Sequence, residues 1–147
     1  MKSKSFRLQL STKGAPQFID ITDWVCQCVG KSTVHNGFVV VYSKHTTAAV
    51  KINENEPLLL EDMGQFLEKI CPRLGDYNHN NFKIRTVNMT PDESPNGHAH
   101  LQQLMLGSSE TIPLVEGTMQ FGRYQSIFFI ELDRPRSREV MVQIVGE

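Results

Sequence analysis

Four histidines lie in polar segments of the chain, at His45, His79, His98 and His100. Imidazole has its ordinary pKa close to neutrality, so such a group can move a proton or, as the neutral base, ligate a metal. His45 has the most informative surroundings. It falls between the apolar runs 38–42 and 48–52, beside the hydroxyls of Thr46 and Thr47. His98-Ala99-His100 is an HxH pair. On a strand, residues i and i+2 point the same way and can share one metal. On a helix they diverge by about 200°, and only one faces a common site. The segment reads as the start of a helix, so His100 is the one expected at the site.

Carboxylates at Glu54, Glu56, Asp62, Asp92 and Glu93 offer hard oxygen ligands for magnesium, or acid–base partners for histidine. Asp62 falls inside a predicted helix, close to its apolar stripe. Arg134, Arg136 and Arg138 crowd into one short segment, and guanidinium forks suit phosphate. The chain has no glycine-rich phosphate loop, no GxSxG, no HExxH and no dinucleotide fingerprint.

The elements that must hold these groups follow from periodicity. Phe6, Leu8 and Leu10 alternate with polar residues, which predicts a half-buried strand. Ile21, Trp24, Val25, Cys28 and Val29 have helical spacing, with Asp20 or Thr22 as the cap. The run 38–42 predicts a strand buried on both faces, and 48–52 a second strand. Pro57 suits the first position of a helix that runs to Pro72. Residues 72–97 are polar and nearly aperiodic, and loops of that length in a small domain are often functional. A short helix is expected at 98–106, ended by Gly107, and strands at 111–115, 126–132 and 139–145. Residues 133–138 are expected to be the loop of a hairpin between the last two. The whole predicts one α+β domain over residues 1–147, a mainly antiparallel sheet or sandwich with two or three helices.

Composition narrows the function classes. The chain has 147 residues, 39% hydrophobic and 21% charged, with net charge −1. It is long enough to bury a core without disulfides or a structural metal. Near-neutral charge argues against a broad surface for nucleic acid or anionic membrane, so neither is expected as a partner. Cys26, Cys28 and Cys71 form no disulfide framework and fit a reducing, cytoplasmic compartment. No signal peptide or membrane-spanning run is expected.

Several pieces, in this order and spacing, resemble the YjbQ-like family, also called secondary thiamine-phosphate synthase enzymes. They are His45-Thr46-Thr47-Ala48-Ala49-Val50, Ile52-Asn53-Glu54-Asn55-Glu56, Asp62, and Tyr77-Asn78-His79-Asn80. They continue with Pro95-Asn96-Gly97-His98-Ala99-His100, Leu106-Gly107-Ser108-Ser109, Gly122-Arg123-Tyr124-Gln125 and Pro135-Arg136-Ser137-Arg138. The resemblance spans nearly the whole chain. It implies an α+β domain assembled as a homotrimer. It also implies a polar pocket near His45, His79 and His100, with Asn53, Glu54 and Asp62 on its acidic or amide side. One departure is visible: where the family often has a tryptophan after Gly-Thr, this chain has Tyr124 after Gly122-Arg123.

On this basis His45, His100 and Asp62 are expected to act in catalysis. Thr46, Asn53, Tyr124, Gln125, Arg136 and Arg138 are expected to bind substrate. His79, Glu54 and His98 are expected to hold a divalent metal, magnesium or zinc. The activity implied is weak thiamine-phosphate synthesis, which joins a pyrimidine diphosphate to a thiazole phosphate and releases pyrophosphate. The other reading is a trimeric module that binds a metal or a small phosphorylated metabolite without turnover.

Overall fold

Residues 1–147 are all described in the computed structural model. Eight strands form two antiparallel sheets. The larger contains β1 (Lys2–Ser11), β3 (Gly37–Ser43), β5 (Ser109–Val115), β6 (Thr118–Met119) and β8 (Ser137–Gly146), in the order β1-β8-β3-β5-β6. The smaller contains β2 (Gln17–Asp20), β4 (Ala48–Glu54) and β7 (Gln125–Glu131), in the order β2-β7-β4. Three helices complete the fold: α1 (Thr22–Ser32), α2 (Pro57–Ile70) and α3 (Gly97–Leu106). This is the α+β architecture that the periodicity predicts.

Alternation along the strands sorts the side chains into two cores. Val39 and Val41 of β3 and Val140, Val142 and Ile144 of β8 face Val50 of β4 and Ile127 and Phe129 of β7. Phe6, Leu8 and Leu10 join this core as expected, and α1 adds Val25, Cys28 and Val29. The other face of the small sheet carries Ala49, Phe128 and Ile130. It packs on Leu67 of α2 and Ala99 of α3. The layers are therefore large sheet, small sheet, then α2 and α3.

Two expectations need correction. The 38–42 strand is buried on one face only. Val39 and Val41 are buried, but Phe38 and Tyr42 are 43% and 42% exposed, because no element of this chain covers the outer face of the large sheet. Residues 133–138 do not close a hairpin either. β7 pairs with β2 and β4, while β8 pairs with β1 and β3, so the connection between them crosses from one sheet to the other.

That crossing has two companions. β1 to β2 and β3 to β4 also pass between the sheets, and the registers bring all three crossings to the same end. There Ser11 pairs with Ser137, Ser43 with Val140, and both Gln17 and Ala48 with Glu131. A buried polar knot ties them together. Arg138 donates Nε to Glu131 Oε2 at 2.7 Å and Nη2 to Glu131 Oε1 at 2.6 Å. Its Nη2 also reaches Thr47 Oγ1 at 2.9 Å. Thr12 Oγ1 donates to Glu131 Oε2 at 2.9 Å and accepts from the Arg136 amide at 2.8 Å. Glu131 Oε1 further accepts from the amides of Leu132 and Asp133. Each crossing thus contributes to one network, with Glu131 wholly buried and Arg138 4% exposed.

Burial alone pushes the Glu131 carboxyl up, but its hydrogen bonds from Arg138 and the Asp133 amide outweigh this and hold it below the usual range. Breaking such a pair strands a charge in a dry site and costs about 3–5 kcal/mol, whereas replacing both partners with apolar groups costs far less. Arg138→Met is expected to lose about that much in urea unfolding, with the double variant Arg138→Met, Glu131→Leu recovering much of it. A single-variant loss below about 1 kcal/mol would contradict the role given to the pair. A depressed carboxyl contributes stability that is complete above its unfolded pKa of about 4.3 and is lost as pH falls through the folded value. Wild type should therefore lose stability more steeply below about pH 4 than Glu131→Gln does.

Candidate functional site

At the end where the three crossings meet lies a cavity of about 440 Å³ with no hydrophobic residue in its lining. The β3–β4 crossing supplies Lys44, His45, Thr46 and Thr47. The β7–β8 connection supplies Arg134 and Arg136, and Arg138 comes from the first turn of pairing in β8. The facing wall is the polar segment between α2 and α3. From it come His79, Arg85, Glu93, Ser94 and Asn96, and His100 enters from the start of α3.

That wall is ordered by polar side chains rather than by an apolar core. Asn80 Oδ1 accepts from the amides of Asn96 and Gly97 at 3.1 and 2.9 Å, which fixes the entry to α3. Gly97 lies so close to Tyr77 that a Cβ there would sit 2.7 Å from the tyrosine Cβ, so no larger residue fits. Arg85 bonds Glu93 at 2.8 Å and the Asn88 carbonyl at 3.0 Å. Arg134 Nη1 donates to Ser94 Oγ at 2.7 Å, which joins the wall to the β7–β8 crossing.

Five cations line the cavity, and each has a carboxylate partner. Lys44 pairs with Glu139, Arg85 with Glu93, Arg134 with Asp92, Arg136 with Asp133 and Arg138 with Glu131. Only Glu93 among those carboxylates is itself in the lining. Four of the five acids lie outside the lining, and all five cations are in it. A guanidinium has five N–H donors, so one edge can hold a carboxylate while another meets a ligand.

The three cavity histidines differ in what they can do. Backbone Glu139 N–H donates to His45 Nε2 at 2.9 Å. Burial, and then the Arg138 charge, push the His45 pKa down. His79 and His100 meet edge to face, with ring centroids 4.6 Å apart and planes at 69°. Burial, and then the neighbouring His79, push the His100 pKa down. His79 Nε2 is buried without a hydrogen-bond partner.

A family model described as UPF0047 protein YjbQ-like matches residues 6–147. A UPF0047 protein of Methanothermobacter thermautotrophicus is 39% identical over 140 residues, covering 95% of this chain and 90% of that protein. The chain belongs to the YjbQ-like family. A hypothetical protein from Aeropyrum pernix has a crystal structure that aligns with a TM-score of 0.86 and 36% identity over the full length of both chains. A YbjQ-like protein of unknown function from Sulfolobus solfataricus aligns at 0.83 with 34% identity over 99% of each chain. None of these names states a reaction or a ligand.

In this YjbQ-like chain the structure brings together His45, His79, His100, Thr46, Arg136 and Arg138 of the residues singled out from sequence. It does not bring the others there. Asn53, Glu54, Tyr124 and Gln125 line a separate shallow concavity at the opposite end of β4 and β7, where Glu54 pairs with Gln125. Six steps along β4 separate it from the cavity, roughly 20 Å at ~3.3 Å per residue. Asp62 is exposed on α2, clear of both. His98 is buried on the other side of α3 from His100, as their ~200° separation on a helix requires. The set His79, Glu54 and His98 is therefore dispersed, and no three His, Cys, Asp or Glu side chains converge to hold a metal. Lys44, Arg85, Asn96 and Ser94 are cavity residues that periodicity could not find. Their one signal was the length and polarity of the segment that carries most of them.

Neither ring nitrogen of His98 makes a well-formed hydrogen bond, although the Leu132 backbone lies close enough to favour the charged ring slightly. Burial, and then the Arg73 charge, push its pKa down. Its folded pKa lies below the unfolded value of about 6.5, so its contribution to stability is complete above pH 6.5 and is lost as pH falls. His98→Leu should flatten the decline in urea midpoint below pH 6.5. An unchanged acid slope would assign that decline to other groups.

Proposed function

We propose that the cavity binds a small phosphorylated metabolite and that the His79–His100 pair moves a proton on it. The observation that carries this is the charge layout: five cations line a space without apolar residues, and four of their five carboxylate partners lie outside its lining. Charge-assisted hydrogen bonds to an oxyanion are shorter and stronger than neutral ones. His100, kept neutral by burial and by its neighbour, is suited to accept a proton near pH 7.

The finer reaction is the thiamine-phosphate synthase chemistry that the family resemblance implies, with pyrophosphate as the leaving group. The cations suit a diphosphate. No phenylalanine, tyrosine or tryptophan lines this cavity to stack on the heterocycles, and Tyr124 stands at the far end of β4. A slow reaction is therefore expected. The dispersed metal ligands give no basis for a step through a resident metal, and magnesium enters only with the diphosphate substrate.

A homotrimer is proposed on one ground beside the resemblance. A closed ring needs two different surfaces that meet head to tail. The chain exposes two apolar surfaces, one with Phe38 and Tyr42 on the large sheet, the other with Leu58, Phe66 and Leu104 on α2 and α3. All three cysteines are free and no helix is long and apolar enough to cross a membrane. These facts accord with the cytoplasmic compartment that we propose.

Inorganic phosphate should raise the melting temperature of wild type, and Arg136→Ala should abolish most of that rise. An equal rise in the variant would remove Arg136 from the site. With magnesium and the two heterocyclic phosphates, product should form slowly, and His100→Ala should lower turnover by about 10²–10⁴-fold. No product above a protein-free blank would exclude this reaction and leave phosphate binding standing. Light scattering at micromolar concentration should give a trimer mass for wild type and a smaller one for Leu104→Asp. A monomer mass for wild type would refute the assembly.

A further inference from the structure

We infer that His45 serves as a fixed neutral hydrogen-bond donor, presenting Nδ1–H to the ligand's oxyanion, and takes no part in proton transfer. This assignment rests on the anion role proposed for the cavity. It departs from the catalytic acid–base role expected of His45 from sequence.

The geometry begins at the end of β3. Ser43 and Val140 form the last β3–β8 pair, so the next residue of β8, Glu139, has no strand partner on that side. His45 fills the place. Its Nε2 accepts the Glu139 amide at 2.9 Å, where a ladder carbonyl would otherwise stand. An N–H donor pointing at Nε2 requires a lone pair there. In the neutral ring the proton must then lie on Nδ1. Protonating Nε2 would set one N–H against another and leave the Glu139 amide unpaired. Releasing the Nδ1 proton would create an imidazolate. The Glu139 contact opposes the first route, and the very weak acidity of a neutral imidazole N–H closes the second.

The surrounding charges agree. Arg138 and Arg136 oppose a positive ring, while Glu131, which favours one, is itself bound by Arg138. On the same side, Lys44 pairs with the Glu139 side chain, so that carboxylate is also engaged. His45 Nδ1 has no protein partner and the residue lines the cavity. A neutral donor suits an oxyanion that must be held without giving up or taking a proton. Proton movement then falls to His79 and His100 on the facing wall.

The test uses the full-length protein labelled with ¹⁵N-histidine, with inorganic phosphate as the probe. At pH 7 the His45 ring should show a protonated Nδ1 and an unprotonated Nε2, and phosphate should shift the Nδ1 signal. Assignment follows from the signal lost in His45→Asn. An Nε2–H tautomer, or a doubly protonated ring with phosphate bound, would overturn the inference. A second arm compares His45→Asn with His45→Ala. Both lose the acceptor for Glu139, but asparagine restores an N–H near the position of Nδ1. His45→Ala should bind phosphate about 10–100-fold more weakly than wild type, and His45→Asn should recover most of that loss. Equal weakening in the two variants would refute the donor role. If wild type fails to bind phosphate at all, the proposed function falls, while the tautomer still decides whether His45 is held neutral.

Discussion

Glu131 has no exposed surface, and a carboxylate so placed must find its counter-charge inside the protein. Arg138 provides it through two hydrogen bonds, and Thr12, Thr47 and two backbone amides complete the network. The desolvation of each ion costs several kcal/mol, so the pair is tolerable only with this full set of partners. The partners come from all three crossings that meet at this end of the sheets. Satisfying one buried charge therefore fixes the relative position of the loops that carry the cavity's floor. Arg138 also lines the cavity, with Nη1 free of protein partners, so the same side chain links the fold to the site.

A second constraint acts around the rim. The cavity concentrates cations, which repel one another, and each is stabilised by an acid, four of the five acids lying outside the lining. This arrangement keeps the folded chain close to neutral while leaving a positive concavity. Exposed pairs such as Arg134 with Asp92 contribute little stability by themselves. Their consequence is geometric, since they hold guanidinium planes in place and reduce the cost of ordering them on a ligand.

Much of the fold was legible from sequence. Alternation gave β1, helical spacing gave α1 and α2, and the 98–106 segment is α3 but for one residue. Helix geometry alone also puts His98 and His100 about 200° apart, although His98 was still expected among the metal ligands. What was not legible depended on which sheet a strand joins. A strand's periodicity names its faces but not its neighbours, so the β7–β8 crossing looked like a hairpin. Asn53, Glu54, Tyr124 and Gln125 were placed with His45 by the family resemblance, which does not register that β4 runs its full length between them. Phe38 and Tyr42 read as core because the sequence of one chain does not distinguish a face buried within it from a face left for another surface.

The central claim is that the crossing end of the sandwich is an oxyanion site with His45 and Arg136 on one side and the His79–His100 pair facing them. A crystal structure of the protein soaked in inorganic phosphate tests it most directly. The expected result is phosphate density within hydrogen-bond reach of Arg136 and His45 Nδ1, with the Glu139 amide still on Nε2. Phosphate found instead beside Arg123 and Tyr124 at the far end of β4, with the cavity free of it, would contradict the account.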